Sequence, residues 1–305
     1  MRVRKRRFSG GVPEHIYIRG VRKQILFFDT IDRLVYYTRY AVTVRKKNIK
    51  TLALSIMYDH LHGLCVFENT TEMSELIRDH LSCFAREYNL DAERTGPLFE
   101  CAFGSAPKES VKKTRSAIIY IGNNHVEKDL CKKAEDCRWS FVAYLNSDHP
   151  FSERIDKKHI SDKLKLAISC VDSRCKAGIP LSYPALRSYY SGLNEVETEQ
   201  LTDYIIVSYY PVDRQAVLSY FDGDYNTFLT ALHSTTGNEY DIREDYSVNS
   251  HQRIEQIIKL CTNSSFKGNI KRIQTQTKDK KGVIAGILQE RTGASLHEIR
   301  KLLDY

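Results

Sequence analysis

Two strand-like runs lie almost back to back in this chain, "KTLALSIMY" (50–58) and "LHGLCVFEN" (61–69). Strands joined so tightly can pair only antiparallel, because a parallel pair needs a crossover of about a dozen residues or more. An antiparallel sheet covered by helices is therefore the expected core. Alternating, β-rich "HIYIRG" (15–20) predicts a further strand ending at Gly20. The spacing of Ile31, Leu34, Val35, Tyr37 and Val42 predicts a helix over 30–48, and 70–89 predicts a second with Thr71 as its N-cap. "GPLFECAFGS" (96–105) reads as extended, and 107–129 as a helix with Pro107 near its start. This order is not the strict alternation of a doubly wound fold.

Residues 147–154, "SDHPFSER", read as a boundary. The expected organisation is a 1–150 domain, a mainly helical 151–250 region with no assignable chemistry, and a 251–305 tail. In the tail, one helix stops at Gly293 and a second starts at Ser295, with Glu298 completing a capping box. Two short helices around a glycine turn suit a helix-turn-helix and a generic helical hairpin equally.

A chain of 305 residues can bury at least one sizeable core. Its +8 charge is unevenly spread: residues 1–50 hold 14 Lys/Arg against 3 Asp/Glu, and 251–305 hold 11 against 5. The middle must then carry −9, so a polyanion met by both basic ends is a natural partner. No stretch reads as a membrane span or a secretory leader, which points to a soluble intracellular chain. The eight cysteines (Cys65, Cys83, Cys101, Cys131, Cys137, Cys170, Cys175, Cys261) include no C-x-x-C pair and read as reduced thiols.

The chemistry-bearing stretch is "YDHLHGLCVFE" (58–68). Side chains alternate along a strand, so His60 and His62 share a face and can converge on one metal ion, while Leu61 points to the core. The surroundings read as open to a ligand. By itself such a pair is more often two satisfied histidines. In "IIYIGNN", Tyr120 and Asn124 sit four apart on one helical face. Asn124 offers a neutral oxygen suited to a hard cation such as Mg²⁺. Tyr120 offers a hydroxyl that a polarised phosphate would make an effective nucleophile.

These pieces together resemble the HUH-type single-tyrosine transposases, particularly their REP-associated branch. "HIYIRGVRKQILFFD", "IMYDHLHGLCVFE", "GPLFECAFGS", "IIYIGNNHVEKDL" and "CRWSFVAYL" occur in the family's order across residues 12–146. The resemblance implies an α+β fold, a ferredoxin-like antiparallel sheet with helices, followed by a mainly helical half. It implies His60, His62 and Asn124 as ligands of Mg²⁺ or Mn²⁺ and Tyr120 as nucleophile. It further implies cleavage and rejoining of single-stranded DNA bearing a hairpin through a 5′-phosphotyrosine, with no nucleotide cofactor because the ester stores the bond energy. Arg19, Arg22, Lys23, Lys112, Lys113 and Arg115 would meet DNA phosphates, and the Met1–Arg7 arm would track a groove or hairpin. Phe27, Phe28, Trp139 and Phe141 are assigned to the core. Relatives occur as monomers and as homodimers, and a prokaryotic-type, nucleoid-associated cytoplasmic location follows. Four positions depart from the pattern: Tyr58-Asp59 replaces Pro-Asn, His125 replaces proline after Asn124, and Ile119 replaces arginine. Two other readings stand beside this one: a replication- or relaxase-type HUH nickase, and a non-catalytic DNA-binding regulator on a degenerate domain.

Overall fold

The computed structural model describes residues 7–100, 103–156, 158–234, 254–258 and 270–304. Nearly all of the Met1–Arg7 arm, the end of the 151–250 region, the start of the tail, Cys101 and Cys261 lie outside the described residues. The elements around the sheet are β1 (Pro13–Arg19), α1 (Thr30–Lys46), β2 (Lys50–Ile56), β3 (His60–Val66), α2 (Thr70–Ala92), β4 (Gly104–Pro107) and α3 (Val111–Glu127). All strand pairs are antiparallel, in the order β2-β3-β1-β4, so β1 sits between β3 and β4 in a split β-α-β-β-α-β arrangement.

The pairing register sorts the side chains. Tyr17 lies opposite His62, Arg19 opposite His60, and Ser55 opposite His62, so these residues share one face with His15. The other face carries Ile16, Ile18, Leu54, Leu61 and Cys65, all buried. Helix α1 covers that second face, where the Tyr40 hydroxyl bonds the Thr51 hydroxyl at 3.1 Å and the Cys65 thiol at 3.0 Å. Helix α3 covers the first.

Three local expectations shift. Asn69, not Thr71, caps α2, its side-chain oxygen accepting from the Glu72 N–H at 2.9 Å; an amide oxygen just before the first turn reaches that orphan donor. Pro107 pairs with Glu14 as the last residue of β4 rather than opening a helix. An edge strand tolerates proline because one side of its ladder is unpaired. Ser110 then caps α3. Of the extended segment 96–105, Gly104 and Ser105 belong to β4, and Phe99 makes an isolated antiparallel bridge to Gly20 at the end of β1.

Beyond residue 150, α4 (Asp162–Lys176), α5 (Tyr183–Tyr190), α6 (Glu195–Ser208), α7 (Arg214–Ser219) and α8 (Tyr225–Ser234) pack into the same buried core as the sheet. The Tyr37 hydroxyl donates to the Ile206 carbonyl, and the Thr38 hydroxyl accepts from the Leu181 N–H. A second apolar cluster joins α9 (Lys278–Thr292) and α10 (Leu296–Leu303) to Ile25 and Phe28. Gly293 ends α9 at φ 62°, a left-handed conformation that only glycine adopts without cost. Ser295 and Glu298 form the expected reciprocal cap on α10. Phe27, Phe28 and Phe141 are buried as expected, and half-buried Trp139 lies beneath the Arg33 guanidinium. Among the described residues no helix is long and apolar enough to cross a membrane. The six described cysteines carry free thiols.

Candidate active site

Strand β3 holds His60 and His62 on the face beneath α3, and α3 brings Tyr120 to them. The His60 and His62 ring centroids are 5.1 Å apart, and Tyr120 meets His62 edge-on at 5.6 Å. Asn124 follows one turn later on α3 and is 1% exposed; neither its amide oxygen nor its nitrogen has a hydrogen-bond partner among the described residues. Leaving such an amide unsatisfied costs about 1–3 kcal/mol, so its position calls for an explanation beyond packing.

Three further side chains set the geometry. His60 Nδ1 donates to the Asp59 carboxylate at 2.6 Å. His15, from β1, places Nε2 3.0 Å from His62 Nδ1, with the two rings stacked at 5.2 Å. His125, next after Asn124, bonds the Ser55 hydroxyl at 3.3 Å and the Ile56 carbonyl at 3.2 Å. It therefore ties the end of α3 to β2.

The cluster is enclosed rather than open. His62 and Tyr120 are both 0% exposed, whereas Tyr17, directly opposite His62 in the sheet, is 44% exposed. Enclosure follows from α3 lying flat on β2 and β3, a packing that the strand pattern alone does not reveal.

The expected DNA-contacting residues fall into separate groups. Arg19 flanks His60 across the β1–β3 pair. Arg22 and Lys23 form a tight turn after Gly20, both with positive φ, 55° and 58°; each costs of order 1 kcal/mol, and the surroundings hold them there. A Cβ on Gly20 would lie 2.6 Å from the Gln24 carbonyl oxygen, so the turn closes only on glycine. The C-terminal unit docks on this turn: the Ile25 N–H donates to the Lys301 carbonyl, and Arg22 pairs with Asp304 at 3.3 Å. The Lys301 ammonium is pushed down by burial, with Asp59 opposing that shift and Lys23 and Arg19 reinforcing it. Arg19 thus lies beside the Asp59–His60 pair, and Lys301 meets the chain just past the turn, at Ile25. Lys112 and Lys113 are exposed in the first turn of α3, roughly 10–12 Å along the helix from Tyr120 at 1.5 Å per residue. Arg115 lies over the Phe221 ring at 5.1 Å, turned toward the helical half.

Sequence reasoning missed His15 and Lys301. His15 stands in a strand already recognised, and its alternation with Tyr17 was the available signal. Lys301 had none, because its place depends on a backbone contact with Ile25, about 276 residues earlier in the chain.

Whether the residues suit a divalent cation turns on their donor types. No group of three or more His, Cys, Asp or Glu is placed to hold a metal among the described residues. The donor set here is instead two imidazoles and one unsatisfied amide, and both imidazoles have Nδ1 already engaged. Engaging the second ring nitrogen of a histidine with a carboxylate or another acceptor is how metal-binding histidines are usually oriented. In kind, the residues fit.

No protein family and no curated protein matches the chain. A solved structure described as a REP-associated tyrosine transposase bound to a REP hairpin aligns with 52% of this chain and 94% of its own, at 14% identity and a TM-score of 0.38. That is a distant structural likeness and carries no argument about this chain's activity.

Proposed function

We propose that the chain cleaves and rejoins single-stranded DNA at hairpins through Tyr120, on an HUH-type, ferredoxin-like domain. The observation that carries this reading is the convergence of His60, His62 and Tyr120 from two separate elements, with the buried Asn124 amide, unpaired among the described residues, one turn further along α3. His60 Nε2, His62 Nε2 and the Asn124 Oδ1 would hold Mg²⁺ or Mn²⁺. Bound there, the cation would polarise the scissile phosphate. The Tyr120 hydroxyl oxygen then bonds to phosphorus and the P–O3′ bond breaks. The proton lost by Tyr120 ends on the departing 3′ oxygen, leaving a 5′-phosphotyrosine and a free 3′-hydroxyl. Rejoining is the same displacement in reverse, so no nucleotide cofactor is needed. Arg19, opposite His60 in the sheet, and Lys23 in the following turn supply positive charge, and Lys112 and Lys113 extend it along α3. Because Tyr120 is enclosed, DNA binding must open the α3 face before attack.

The α9–α10 pair, basic and joined through Gly293, is the accompanying duplex-binding helix-turn-helix in this proposal. One observation favours a second reading, a non-catalytic DNA-binding protein: the full burial of Tyr120. Incubating 3′-labelled hairpin DNA with the chain and Mn²⁺ separates them. Nicking that disappears in His60→Ala and Tyr120→Phe supports cleavage. Tight binding without nicking supports the second reading.

A further inference from the structure

The two candidate ligands are held by unlike partners. Asp59, as a carboxylate, only accepts, so it fixes the proton of His60 on Nδ1 outright. His15 is an imidazole and can either donate to or accept from His62 Nδ1. A neutral imidazole carries one proton, and the protonated nitrogen cannot bind a cation. For His62 to present Nε2, its proton must sit on Nδ1, and His15 must accept through Nε2 while keeping its own proton on Nδ1.

We infer that His15 is a positioning residue that locks His62 in its Nδ1–H tautomer and so aims Nε2 at the divalent cation. The register explains why this residue can do so. His15 lies opposite Leu64 and His62 opposite Tyr17, so His15 and His62 are diagonal neighbours on one face. Stacking at an interplanar angle of 19° fixes the ring as well as the proton. Tyr120 meets the edges or faces of both rings, at 5.9 Å from His15 and 5.6 Å from His62, so a shift of either ring also moves the tyrosine's support. The asymmetry of the partners has a consequence. His60 is oriented by a carboxylate that can only accept, whereas His62 is bonded to a ring that can do either, so the His62 proton is the one His15 decides.

The cation-binding part of this inference rests on the function proposed above; the tautomer part does not. The test uses the full, metal-free chain with ¹⁵N-labelled histidine at pH 7.5. Long-range ¹H–¹⁵N correlations read each ring's tautomer, and Mn²⁺ titration followed by electron paramagnetic resonance reads affinity. The expected result is Nδ1–H at His60, His62 and His15. His15→Leu should release His62 to a mixture of tautomers and weaken Mn²⁺ binding by about 10–100-fold. His15→Gln, whose Oε1 can accept the same hydrogen bond, should keep the His62 tautomer and lose no more than about threefold of that affinity. An unchanged backbone fingerprint in the Gln variant guards against misfolding as the cause. Nε2–H at His62 in the wild-type chain overturns the inference, as does a His15→Leu variant with the wild-type tautomer and Mn²⁺ affinity. A wild-type chain that binds no Mn²⁺ overturns the metal reading and with it the ligand-aiming role.

Discussion

Lys271 is one of the points where the C-terminal unit is anchored to the body of the protein, and a buried one. Its ammonium lies 2.6 Å from both Asp32 Oδ1 and Asp91 Oδ2, 3.7 Å from the Tyr183 ring centre and 4.8 Å from that of Tyr88. Lys271 is 1% exposed and Asp32 is fully buried. Changing Lys271 to Met keeps most of the stem and removes the cation, leaving Asp32 as a buried anion. Removing one partner of a buried pair costs about 3–5 kcal/mol. The lower end applies here, because the Phe28 N–H and the Tyr183 hydroxyl still donate to Asp32, and Arg187 still pairs with Asp91. Urea unfolding of the full chain, followed by Trp139 fluorescence, should show a loss of about 3 kcal/mol. Hydrogen exchange over 270–304 should accelerate with it. Adding Asp32→Asn to Lys271→Met should restore part of the loss, since a neutral amide oxygen still accepts from Phe28. A single-variant loss below about 1 kcal/mol, or strictly additive losses in the pair, would refute the view that this buried charge pair holds the unit in place.

Three other outcomes follow from particular residues. His80 is buried edge-on against Tyr36, at 4.4 Å, and burial lowers its pKa to about 3. A depressed histidine contributes stability above the unfolded value near 6.5 and loses it as pH falls toward 3. About 2 kcal/mol should be gone by pH 5, and His80→Phe should flatten that part of the stability–pH curve measured by urea titration. Asn124→Ala should leave the metal-free chain as stable as wild type or slightly more so, while Mn²⁺ binding falls at least tenfold; equal Mn²⁺ affinity in isothermal titration would remove Asn124 from the ligand set. Ser295→Ala removes the cap of α10 and should cost about 1 kcal/mol in the same urea experiment.

The legible parts of this molecule were local. Back-to-back strands forced the antiparallel β2–β3 pair, and Ser295 with Glu298 announced the start of α10 because capping is settled within four residues. His60, His62 and Tyr120 could be singled out because strand and helix periods fix which side chains share a face. What escaped was long-range. His15 joins His62 only through the pairing of strands 47 residues apart, and Lys271 meets Asp32 across 239 residues. Enclosure of Tyr120 depends on how closely α3 lies on the sheet, which no single element encodes. Pro107 was misplaced because an edge-strand end and a first helical turn both accept a residue without an N–H.

The most direct measurement is a covalent trap. The full chain is mixed with single-stranded hairpin DNA and Mn²⁺, with the label at the 3′ end in one reaction and the 5′ end in another, then run on a denaturing gel. A 5′-phosphotyrosine retains the 3′ fragment, so only the 3′ label should shift to protein size. Peptide mass spectrometry should place the nucleotide on Tyr120, and Tyr120→Phe or EDTA should abolish the band. A band that survives in Tyr120→Phe and maps to exposed Tyr17, or tight hairpin binding with no covalent product at all, would contradict the account.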